Sequence, residues 1–167
     1  MHKFGFAILA LCAALLLGGE ARAQQPTPPP ASPPPPYGAP ITLEQAIKAA
    51  AAAREEAKKN NLNDAIAVVE PSGALVYFER ADGTQYAAAK IAQAKATVAA
   101  QFRRPSKSFA DRLAAGDQTV LVLPGALAVA GGVPIVVDGK LIGAIGISGG
   151  SAAQDDQVAT AGADAFK

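Results

Sequence analysis

The alternation of apolar and polar positions predicts an ordered series of helices and hairpins. Thr42-Leu43-Glu44-Gln45 has the form of a capping box, in which the Thr and Gln side chains satisfy each other's free backbone amides. Alanine, Lys and Glu carry that helix to about Asn60. Ala65 to Glu70 reads as a strand, Pro71-Ser72-Gly73 as a turn and Ala74 to Arg80 as its returning partner, a hairpin. Asp82-Gly83 breaks the chain, and residues 85–102 are helical by composition. Pro105 ends that run, and Ser106 or Ser108 is placed to cap a short helix carrying Phe109 and Leu113. Gly116-Asp117 closes it, and Val120 to Leu123 reads as strand or helix. Val133 to Val137 and Leu141 to Ser148 flank Asp138-Gly139, the strongest hairpin signal in the chain. Ser151 opens the last helix with a second capping box completed by Gln154. Hairpins clustered together with helices set around them argue for an α+β fold. Glycines at 143, 146 and 149 leave both faces of the last strand open to close approach by alanine-rich helices.

What precedes this series is of a different kind. Lys3, the uncharged run Phe4 to Gly19 and Ala21-Arg22-Ala23 form the three parts of a secretory signal peptide over 1–23, with Gln24 as the mature start. The apolar run is short for a membrane span. The pattern predicts an exported protein, periplasmic or extracellular, with no membrane span after cleavage. Removing the leader takes away Met1, His2 and Cys12 and leaves 13 basic and 13 acidic side chains. A mature chain without His, Cys or Met can form no disulfide, no Ser-His or Cys-His nucleophile and no zinc site of the usual kind. A near-neutral charge also removes the electrostatic signature of a nucleic-acid binder. Residues 24–40 hold nine prolines in 17 positions, a semi-rigid polyproline spacer or a docking peptide for a proline-recognition domain. Residues 41–167 form the one folded domain.

Few positions carry candidate chemistry. Lys95 falls on the apolar stripe of Ile91, Val98 and Phe102, so it either reaches past the core edge to solvent or lines a pocket beside an anion. Ser148-Gly149-Gly150-Ser151 joins a strand to a helix N-terminus, where free amides favour an anion; the alternative is a tight turn with a cap. Asp155 and Asp156, in that helix's first turn, suit its dipole. Arg103-Arg104 stands where a helix ends, as dipole partners or as a clamp for a carboxylate. Tyr86 sits at the start of the Lys95 helix and is placed to face the same pocket. No catalytic residue and no metal ligand is assigned.

The motifs Leu43-Glu44-Gln45-Ala46, Ala67 to Gly73, Glu79-Arg80-Ala81-Asp82-Gly83, Lys95-Ala96-Thr97-Val98-Ala99 and Phe102 to Ser106 resemble the GlcG/HbpS-like family, whose members are described as haem-binding or haem-degrading. The run Gly131 to Gly150, followed by Gln154-Asp155, is the most specific part. The resemblance implies a profilin-like α-β-α sandwich with a five-stranded antiparallel sheet flanked by helices, self-association into homo-oligomers, and haem as cofactor. The chain departs from that pattern: it lacks the histidines that ligate haem in some relatives, and no two glutamates stand three apart as in an E-x-x-E iron motif. Haem would then be held without His, Cys or Met, with Tyr86 as axial ligand and Lys95 or Arg104 on a propionate. The alternatives are a module for a small organic carboxylate, held by Lys95 and the amides of Gly149, Gly150 and Ser151, or a structural partner-binding protein. An enzyme using Lys95 as base is the remaining reading.

Overall fold

The computed structural model describes residues 33–167; the leader and the first part of the proline-rich stretch lie outside the described residues. The elements run α1 (Leu43–Lys59), β1 (Ala65–Val69), β2 (Leu75–Arg80), α2 (Ala88–Phe102), α3 (Lys107–Ala114), a 3-10 turn (Gln118–Val122), β3 (Gly132–Val137), β4 (Lys140–Ser148) and α4 (Ala152–Ala163). The strands form one antiparallel sheet in the order β2-β1-β4-β3. A fifth strand is not among the described residues. Both capping boxes form, Thr42 with Gln45 and Ser151 with Gln154. Asp138 and Gly139 take φ 49° and 72° and turn the β3–β4 hairpin, the left-handed pair that a two-residue hairpin requires.

The layers follow from which side chains alternate along β1. Ile66 and Val68 point to one face, where they meet Ile145 and Ile147 of β4 under α1 and α4. Ala65, Ala67 and Val69 point to the other, against Ala88, Ala92, Ala96 and Ala99 of α2. The result is helix, sheet and helix pair. The α2 face carries small residues because the helix lies almost on the strands. Gly132 and Gly146 are register partners. A Cβ at Gly146 would collide with Ala92 O and Ala96 N, and one at Gly132 with the Lys95 carbonyl. The sequence expectation of close approach is thus realised at Gly146. Gly143 instead lies under Ile41 and the Val69 carbonyl, and Gly149 against Asn63 and Asp64.

Two local expectations are corrected and one is resolved. Residues 85–87 precede α2 rather than begin it. Ser106 starts α3 but caps nothing through its side chain; its Oγ accepts the Gly132 N–H (2.9 Å), so it ties α3 to β3. Of the two readings for Val120 to Leu123 the structure takes helix, in its 3-10 form and shifted: it runs from Gln118 to Val122 and starts where the Asp117 side chain accepts the Thr119 N–H.

The end of the proline-rich stretch belongs to the folded unit. Leu141 N–H donates to Pro36 O (2.8 Å) and Gly38 N–H to Leu141 O (2.7 Å), a single parallel bridge to β4. Ile41 N–H donates to Ile142 O (2.7 Å). Tyr37 anchors the segment, its hydroxyl donating to Gln101 O at the end of α2 (2.9 Å).

Candidate functional site

Lys95 neither reaches solvent nor lines an open pocket. It is 1% exposed, and its Nζ donates to Asp155 Oδ2 (2.5 Å) and Ile147 O (2.9 Å). Asp155 Oδ1 in turn accepts the Gly150 N–H (3.0 Å). Two of the three amides predicted to hold an anion, those of Gly150 and Ser151, are satisfied from within the chain: Ser151 N–H donates to Gln154 Oε1 (2.9 Å), and Gln154 N–H to Ser151 Oγ (3.4 Å). Ser148 is buried in β4. Lys95, Ser148, Gly149, Gly150 and Ser151 are therefore brought together, as expected, but as a lock that pins α2 and α4 to the end of β4. Asp155 is the anion that the sequence reading left to an external ligand. A buried, hydrogen-bonded pair of this kind is harmful to break and of modest net value when intact.

Beside the lock lies a residue that sequence reasoning missed. Asp64, just before β1, is 3% exposed, and neither carboxylate oxygen has a hydrogen-bond partner. Gly149 packs directly on it. Burial, and secondly the Asp155 charge, push its pKa up from 3.8 to about 6, against the opposing pull of Lys95 and the Gly150 amide. No periodicity or motif marks this position; a lone acid before a strand reads as a turn residue.

Tyr86 and Arg104 stand apart from the lock. Tyr86 is 88% exposed, with the Arg80 guanidinium 5.5 Å from its ring centre. Arg104 is exposed, and its Nε donates only to Phe102 O (3.3 Å). The cation of this pair that faces a cavity is Arg103. Held in the left-handed conformation (φ 53°) at the C-terminus of α2, it borders a groove of about 470 Å³ between the outer edge of β3 and α4. Val133, Pro134 and Val136 supply an apolar wall, and Pro35 and Pro105 flank it. Lys107 and Lys167 add two further cations, and Asp156 and Asp164 two anions. Lys167 is paired with Asp164 (2.5 Å) and Lys107 with Asp111 (2.6 Å). Arg103 makes no salt bridge with a described residue. Size, apolar walls and few convergent charges are the ordinary attributes of a small-molecule site. The doublet Arg103-Arg104 is the sequence signal, and it is Arg103 rather than Arg104 that borders the groove.

The donors available test the fit of haem. Residues 33–167 contain no His, Cys or Met. The Tyr37 hydroxyl is engaged by Gln101 O, that of Tyr77 by Glu79 Oε2 (2.8 Å), and neither these nor Tyr86 borders the groove. Among the described residues no three His, Cys, Asp or Glu side chains are grouped to hold a metal. The groove thus offers an apolar wall and charged groups but no His, Cys, Met or Tyr side chain to ligate a haem iron.

The fold is a small α+β domain with a groove of apolar wall and mixed charge at the β3 edge of its sheet. The profile of the HbpS-like family, described as "Haem degrading protein HbpS-like", matches residues 41–164, and the chain belongs to that family. It is 42% identical over 92 residues to Protein GlcG of Escherichia coli strain K12, covering 55% of this chain and 69% of that protein. An uncharacterized 15.0 kDa protein of Citrobacter freundii is 31% identical over 137 residues, covering 77% of this chain and 93% of its own length. Among solved structures, a double mutant of HbpS from Streptomyces reticuli superimposes with a TM-score of 0.70 at 35% identity, over 83% of this chain and 99% of that one.

Proposed function

We propose that the protein is an exported binding protein for haem or a related carboxylate-bearing tetrapyrrole, held in the β3–α4 groove by its plane and its carboxylates rather than through its iron. The family description supports the ligand class, and the leader pattern over 1–23 supports export. The observation that carries the reading is the groove itself: an apolar wall of Val133, Pro134 and Val136 beside Arg103 and Lys107. Guanidinium and ammonium groups there pair with ligand carboxylates through charge-assisted hydrogen bonds. With no His, Cys or Met in residues 33–167, this reading has the metal add little to affinity. Tyr86, Lys95 and the Gly149–Ser151 amides have no part in this reading.

The test is a titration of the exported chain with haem and with iron-free protoporphyrin, followed by absorption and fluorescence. Both should saturate, with similar affinities, and Arg103→Ala should weaken both about tenfold. A response to neither porphyrin refutes the reading. A second reading, a small organic carboxylate in the same groove, is favoured by the single observation that Arg103 has no acidic partner among the described residues. A panel of such acids raising Tm where porphyrins do not would select it.

A further inference from the structure

The wall of the groove opposite α4 is built partly by residues outside the family's matched stretch. That stretch begins at residue 41, whereas Pro35 borders the groove and Pro36 to Gly38 are hydrogen-bonded to β4. The segment also takes hold of Arg103. Its guanidinium lies 5.1 Å from the centre of the Tyr37 ring, and Nη1 donates to Pro35 O (3.4 Å). Tyr37 is fixed in turn by its hydroxyl on Gln101 O (2.9 Å), two residues before Arg103. A free arginine at a helix C-terminus samples many rotamers, and ordering it on ligand binding opposes affinity. Here stacking on an aromatic ring and one carbonyl contact restrict it beforehand.

We infer that the docked end of the proline-rich segment is a functional wall of the groove, with Tyr37 as a positioning residue that holds Arg103 for a ligand carboxylate. Tyr37 does not touch the ligand; it acts through Arg103. The inference rests on the groove reading given above and adds to it which residue sets the preference for an acidic ligand. It also gives the segment a second use besides that of spacer: residues that precede the family's matched stretch help to complete the site.

The experiment compares protoporphyrin with its dimethyl ester, which keeps the plane and removes both charges. In the full exported chain, Tyr37→Ala should weaken the diacid about tenfold and leave the ester unchanged. Arg103→Ala should do the same. The double variant should be no weaker than Arg103→Ala alone, because the two residues act through one contact. Tyr37→Phe, which keeps the ring over which Arg103 lies, should stay within about threefold of wild type. Hydrogen exchange gives a readout that needs no ligand: the Gly38 and Leu141 amides should be protected in wild type and Gly38 should lose protection in Tyr37→Ala. Equal weakening of acid and ester by Tyr37→Ala, additive losses in the double variant, or rapid exchange at Gly38 in the wild type would each overturn this inference while leaving the groove reading in place. Failure of the wild type to bind either porphyrin would overturn the groove reading and this inference together.

Discussion

Replacing Asp64 with Asn should stabilise the protein, and the gain should depend on pH in a stated direction. The carboxyl is 3% exposed, has no hydrogen-bond partner and stands near Asp155. Its pKa is raised from 3.8 to about 6 in the fold. Below the unfolded value the group is protonated in both states and adds no penalty. Between the two values the folded state holds a proton that the unfolded state has released, so stability falls as pH rises. Above about 6 the whole penalty applies, on the order of 3 kcal/mol from 1.36 kcal/mol per pKa unit. Asn removes the charge but keeps a buried polar group without an evident partner, which returns roughly 1–2 kcal/mol. The net gain at pH 8 is about 1–2 kcal/mol, a rise of about 3–8 °C in Tm for a domain of this size. Urea and thermal unfolding of both proteins from pH 4 to pH 8 give the difference curve, which cancels the titration of the carboxylates that Asp64 does not touch. It should rise from near or below zero at pH 4 to a plateau above pH 7. A flat difference, or a variant less stable than wild type at pH 8, would refute the argument.

Further outcomes follow from the packing. Lys95→Met leaves the Asp155 carboxylate buried without its cation and should destabilise by about 3–5 kcal/mol in urea unfolding, with Lys95→Met/Asp155→Leu recovering part of the loss. Gly146→Ala places a Cβ against the α2 backbone at Ala92 and Ala96 and should cost at least about 2 kcal/mol, read as a fall in the urea midpoint. Self-association, implied by the resemblance to the family, should appear as a mass above one chain in light scattering. Leu121 and Val122, exposed at 67% and 79% in the 3-10 turn, are the apolar side chains whose replacement by Asp should reduce it; a monomer at micromolar concentration in wild type would contradict it.

Much of the fold was legible in the sequence because its signals are local. Capping boxes, the Asp138-Gly139 turn and alternating strands specify themselves within a few residues, and they appear where expected. The run from Val120 stays ambiguous for the same reason: a short apolar stretch carries no period, and the Asp117 cap decides for a 3-10 helix. The site was less legible. Lys95 on an apolar stripe and the Ser148–Ser151 turn are real signals, but each reads equally as a ligand contact or as a structural part; the structure gives the turn its cap at Ser151 and gives Lys95 a partner from the other side of the fold. Asp155 lies 60 positions from Lys95, and only the β4 crossing brings them together. Asp64 becomes unusual through burial alone. Tyr37 sat inside a segment whose composition argued for a spacer, and no local pattern reports that a strand edge will receive it.

Side-by-side titration with haem and iron-free protoporphyrin tests the central claim, that the groove holds a tetrapyrrole by plane and carboxylates, most directly. The account predicts saturable binding of both, within a few-fold of each other, and a parallel loss in Arg103→Ala. Binding of haem alone, abolished by Tyr86→Phe, would show that iron ligation governs recognition and would contradict it.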